Sequence, residues 1–270
     1  MMKVTRAQMK ENAKASLRGR WGLAIGVMLV YLVIVLILGR IASLPFDEEL
    51  NLYAYYTMNG IQFEPDPAVM GGYEALSLIM AIVLSPIVVG TMLVYLRISR
   101  GQEARVRDMF SPISRFLKIA GLFLYVFIKI FLWSLLFIIP GIIAAYRYAM
   151  AFYIAADDPN VGIVEAVERS KAMMKGNKWR LFVFQLSFIG WVLLSPLTFG
   201  ILWLWLFPYM ETAHMNFYNS LILEQSAHIN TDPGGTGGTY DTYDTNDTNG
   251  TNGTNSYTEN DDPNDRGDNW

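Results

Sequence analysis

WGLAIGVMLVYLVIVLILG, residues 21–39, runs 19 residues without a charge. At 1.5 Å per residue a helix of that length covers roughly 28 Å, about one hydrocarbon core. A secretory leader is the rival reading, but its apolar stretch usually stops after roughly 7–15 residues at a small-x-small cleavage site. Neither feature is present, so 21–39 reads as a membrane span. The residues before it, 3–20, are polar and basic, and Thr5 with Gln8 fits a capping box that opens a short helix.

Further along, apolar stretches recur at 75–96, 119–139, 142–156, 179–195 and 201–222. About six spans are therefore expected in an all-α, polytopic membrane bundle. The composition agrees: 53% of the 270 residues are hydrophobic and 17% are charged, below the roughly 25% of a soluble domain. Residues 40–74 read as a loop rich in Asp, Glu, Tyr and Pro. Pro140 and Gly141 read as a helix break that turns 119–139 back into 142–156. ADDPN at 156–160 is a turn signal, with Asp157 and Asp158 in the turn and Asn160 as the cap of the next helix. That helix, 162–175, places Ile163, Ala166, Val167, Ser170 and Met174 on one face, so it lies on the membrane or packs under the bundle.

The net charge of −3 hides an asymmetry. Residues 224–270 hold ten acids and one base, Arg266, whereas 1–223 carry 14 acids against 20 bases. Three regions follow: a basic N-terminal helix over 1–20, a membrane domain over 21–223, and an acidic polar tail over 224–270. The tail has too little apolar surface to offset chain entropy and is expected to be disordered. Bases cluster at 3–20, 97–118 and 169–180, so the positive-inside rule puts both ends of the chain in the cytoplasm of a multi-pass plasma-membrane protein. Anionic lipid at the cytoplasmic face is the expected partner, with no nucleic acid.

No cysteine is present, which excludes disulfides, thiolate metal sites and a cysteine nucleophile. Two histidines make a histidine zinc site a poor fit, and no cofactor is expected. HExxH and GxSxG are absent, so an enzyme is not expected. Lys129, Arg147 and Glu211 are charges inside apolar segments. They read either as an ion or proton path or as a structural pair in which Glu211 meets Lys129 or Arg147. The Asp157–Asp158 pair is a turn before it is a metal or catalytic dyad.

ADDPNVGIVEAVERSKAMMKGNKWRLF at 156–182, LSFIGW at 186–191, PYMETAHMNFY at 208–218 and LRGRWGLAIG at 17–26 resemble a bacterial membrane-protein family known as domain of unknown function 975. The resemblance implies an integral membrane fold and no assigned activity. More loosely, Ile139-Pro140-Gly141 followed by Glu165-Ala166, Ser170 and Lys175-Gly176 is similar to the membrane domains of some glycerophosphodiester phosphodiesterases. Their catalytic domain has no counterpart in this chain. AKASLRGRW at 13–21 and SKAMMKGNKW at 170–179 also echo one another, by distant duplication or by convergence on a basic helix ending at glycine before an interfacial tryptophan. Three functions remain open: a non-enzymatic lipid- or partner-binding envelope protein, a small transporter or channel, and a membrane-embedded lipid enzyme.

Overall fold

The computed structural model describes residues 4–61, 64 and 66–231. Among these the chain is helical, without strands, and is a helical membrane bundle. The eleven α-helices are α1 (Arg6–Leu17), α2 (Trp21–Ser43), α3 (Asp47–Met58), α4 (Pro67–Ser99), α5 (Phe116–Leu136), α6 (Ile138–Tyr148), α7 (Ala151–Asp157), α8 (Ile163–Met173), α9 (Lys178–Leu186), α10 (Ile189–Leu194) and α11 (Trp203–Thr231).

Local chemistry sets several of these ends. Thr5 caps α1: its hydroxyl accepts from the Gln8 amide at 3.3 Å, and the Gln8 side chain accepts from the Thr5 amide at 2.9 Å. Asp66 caps α4 by accepting from the Ala68 amide at 2.8 Å, and Pro67 takes the first helical position, where no amide proton is needed. Inside α4, Pro86 removes one backbone donor. The Ile82 carbonyl it would have served instead accepts from the Ser85 hydroxyl at 2.7 Å.

Among the described residues five stretches are long and apolar enough to cross a membrane: 21–58, 67–99, 106–136, 138–157 and 178–198. The sixth expected span, now α11, is not among them. It is too polar, because it carries Glu211, His214, Asn216 and Asn219, and it runs through the bundle against α1, α2, α4 and α8. A helix sheathed by other helices need not be apolar all round.

Four further expectations are corrected. The 40–74 loop contains α3, whose first turn holds Asp47, Glu48 and Glu49, where the helix dipole favours acids. The break between the third and fourth spans lies at Phe137, which is extended (φ −160°, ψ 151°), and not at Pro140 and Gly141. Pro140 sits in the first turn of α6, where its missing amide costs nothing. Gly141 makes the close α5–α6 contact, since a Cβ there would overlap Ser134. Asn160 is not the cap of α8: Gly162 is, and Glu165 accepts from its amide at 3.2 Å. The segment read as a tail from 224 is helical through Thr231, and 232–270 lie outside the described residues.

The core joins α1, α2, α4, α5, α6, α7, α8, α9 and α11. Met9, Ala13 and Leu17 form the fully buried seam of α1, and Ala166, Val167, Ser170 and Met174 that of α8. Both helices thus pack on the bundle rather than lie free. The sequence echo has a structural counterpart: α1 is followed by Gly19 (φ 74°) before α2, and α8 by Gly176 (φ 81°) before α9. Gly90 permits α4 to touch the 106–115 segment, because a Cβ there would overlap the Met109 carbonyl.

Candidate functional site

The end of α4, the end of α7, the start of α8 and the second half of α11 meet in one cluster. Arg100 grips Asp157 with both guanidinium nitrogens, at 2.6 and 2.8 Å. Tyr218 donates to the same carboxylate at 3.1 Å. Asn219 accepts from Arg100 Nε at 3.1 Å and donates to the Ser99 hydroxyl at 3.1 Å. Burial alone would lower the Arg100 pKa, but the hydrogen bonds and charge of Asp157 outweigh it and leave the pKa above its ordinary value.

Asp158 turns the other way. One of its oxygens accepts from the Asn160 amide at 2.9 Å and the other from Arg169 at 3.2 Å, while Arg169 also meets Glu165 at 2.6 Å. Each aspartate is therefore held by its own arginine, and the two do not converge on one site. Among the described residues no group of three His, Asp or Glu is placed to hold a metal ion.

A second group ties α1 to the rest. Arg180 meets Glu224 at 2.7 and 3.0 Å and donates to the Val4 carbonyl at 3.0 Å. Asn216 donates to the Met9 carbonyl at 3.3 Å. Lys10 donates at 3.0 Å to the Ser187 carbonyl, where α9 breaks before α10, and its ammonium lies 4.2 Å from the Phe188 ring centroid. Lys10 has a lowered pKa, through burial first and then the like charges of Arg6 and Lys14. The sequence marks 1–20 as a basic N-terminal helix, and the structure adds that one face of it is buried. The spacing of Met9, Ala13 and Leu17, one turn apart, is the signal that marks it as part of the core.

The three candidate buried charges do not come together. Glu211 forms no ion pair among the described residues; it lies near Tyr31 of α2, Tyr95 of α4 and Tyr153 of α7. Lys129 is half-buried on α5, with its ammonium 5.3 Å from the Tyr125 ring centroid. Arg147 is half-buried, and its backbone carbonyl accepts from Ser170 at 3.0 Å. The expected pairing fails because α5, with Lys129, packs on α4, α6 and α8, and α6, with Arg147, on α5, α8 and α9, whereas α11 packs chiefly on α1, α4 and α2. One turn past Glu211, His214 engages the Met210 carbonyl through Nδ1 at 2.8 Å, and its buried Nε2 has no hydrogen-bond partner among the described residues.

Around these groups the basic end is open. A cleft of about 440 Å³ lies between the α1–α2 and α4–α5 connections, lined by Gly19, Arg20, Leu23, Gln102, Ala104 and Arg105. Arg20 reaches across to the Gly101 and Gln102 carbonyls, each at 2.9 Å.

An all-helical membrane bundle with a basic, arginine-laced end is the class of protein defined by this arrangement. Residues 134–225, from the last turn of α5 into α11, match the family model described as protein of unknown function (DUF975), which bears out the resemblance over that stretch. No curated protein and no solved structure matches the chain.

Proposed function

We propose that this chain is a non-enzymatic plasma-membrane protein whose basic end faces the cytoplasm and holds anionic phospholipid headgroups. One observation carries the reading: at this end Arg6, Lys14, Arg18, Arg20, Arg107, Lys175 and Lys178 have no carboxylate within 4.0 Å among the described residues. Each basic side chain beside an anionic leaflet contributes about 1 kcal/mol of attraction. The Arg20–Arg105 cleft adds a place for one headgroup beside the first turn of α2. Native mass spectrometry from mixed phosphatidylglycerol and phosphatidylcholine tests the idea. Retained phosphatidylglycerol should exceed its share of the mixture, and the excess should fall in Arg20→Gln/Arg105→Gln. Retention in proportion to the mixture overturns it. For orientation, reporter fusions after residues 110, 168 and 225 should read cytoplasmic and one near 60 external; an external signal at 168 reverses the assignment.

A second reading, a small transporter, is favoured by Glu211: a carboxylate with no ion pair among the described residues, on a helix within the bundle, near tyrosines from three other helices. An ion or proton flux in proteoliposomes that Glu211→Ala removes supports this reading; no flux from the parent protein ends it.

A further inference from the structure

The chain leaves the described structure at the basic end. α11 runs on to Thr231, and its Glu224 is clamped by Arg180, which also holds Val4 at the start of α1. Glu224 thus lies beside the start of α1, which holds Arg6, and beside α9, which begins at Lys178 just after Lys175. Arg6 and Lys175 are exposed, Lys178 is half-buried, and all three lack a carboxylate partner among the described residues. Repulsion among the positive charges of α1 reaches as far as Lys10, whose ammonium is disfavoured by Arg6 and Lys14 after burial. This surface is short of negative charge.

Residues 232–270 carry nine acids and one base, Arg266. We infer that this segment docks by charge on the basic end of its own chain, with Arg6, Lys175 and Lys178 as the first landing points. Reach is not limiting: 39 residues span up to about 130 Å when extended, and each helix is only about 10–12 Å across. The segment has almost no apolar residues, so the attraction is electrostatic and is screened as the Debye length shrinks with salt. The same side chains would meet lipid phosphates under the proposed function. Competition between tail and anionic lipid rests on that reading; docking itself does not.

Carbodiimide coupling, which joins carboxylates to lysine amines without a spacer, tests the docking in phosphatidylcholine nanodiscs holding one chain each. At about 20 mM salt, where the Debye length exceeds 20 Å, peptides from 232–270 should be linked to Lys175 or Lys178, and about 500 mM salt should remove those links. The Lys171–Glu168 pair, 2.7 Å apart, supplies a link that must form in every sample. If that link forms and none joins 232–270 to these lysines, the inference is overturned. Replacing about a third of the lipid by phosphatidylglycerol separates the two ideas. Several-fold weaker tail links support both docking and competition. Tail links that persist unchanged keep the docking and overturn the lipid reading.

Discussion

On α5 and α6 it is the apolar side chains that are exposed: Phe131, Leu132, Leu135, Leu136, Ile138 and Ile139 all face outward. On α11 the buried positions include Thr212 and Ser220 beside Phe217 and Leu221, and Glu211 is half-buried. The buried hydroxyls are satisfied inside the helix, Thr212 on the Pro208 carbonyl at 2.8 Å and Ser220 on the Phe217 carbonyl at 2.7 Å. One region is dressed for hydrocarbon and the other for protein. The lesson is that in a membrane bundle hydropathy reports contact with lipid, so the most enclosed helix is the one a hydropathy reading describes least well.

The sharpest way to break this contrast is to wedge the enclosed side apart. Gly90→Val places side-chain atoms on the Met109 carbonyl, which backbone cannot readily vacate, and should cost more than about 3 kcal/mol. Loss of the monodisperse peak after detergent extraction is the readout; a normal peak would mean that the α4 contact is looser than it looks. Next, Leu132→Arg puts a charge on the lipid face of α5 and should cost about 2.5–3.5 kcal/mol of insertion, seen as reduced membrane integration. Unchanged integration would show that this face is not in lipid.

Asp157→Ala should weaken the protein by about 2 kcal/mol, because it strands Arg100 and removes the acceptor of Tyr218. Asp157→Ala with Arg100→Met should recover part of the loss in a heating series, and no recovery would argue against the pair. The smallest effect is expected at Glu211. With no cation paired to it among the described residues, Glu211→Gln should change the thermal midpoint by no more than a 1 kcal/mol equivalent, about 2–4 °C. A large fall would reveal a partner for Glu211 outside the described residues.

Much of the architecture is legible residue by residue. The 19-residue run at 21–39, the Thr5–Gln8 box and the buried face of 162–175 each follow from local spacing, and each appears where expected. The candidate site was less legible. Asp157 and Asp158 were read together as one turn, but the structure sends one to Arg100, 57 residues away in the chain, and the other to Arg169. Lys129 and Glu211 are both charges inside apolar segments, yet position along a helix says nothing about azimuth, and the helices that separate them are chosen by packing.

The sequence alone determined the class: long apolar runs cannot be buried in a soluble chain of this size, and their backbone polar groups must be satisfied within helices. It also determined the charge asymmetry between 1–223 and 224–270, since that is a matter of counting. Only the tertiary structure decided that α1 belongs to the core, that the fold breaks at Phe137, that α11 is enclosed, and that Glu211 sits apart from both basic residues. These depend on which helix faces which. That choice is made by close contacts such as Gly90 on Met109 and Gly141 on Ser134, between residues whose neighbours in space are not their neighbours in the chain.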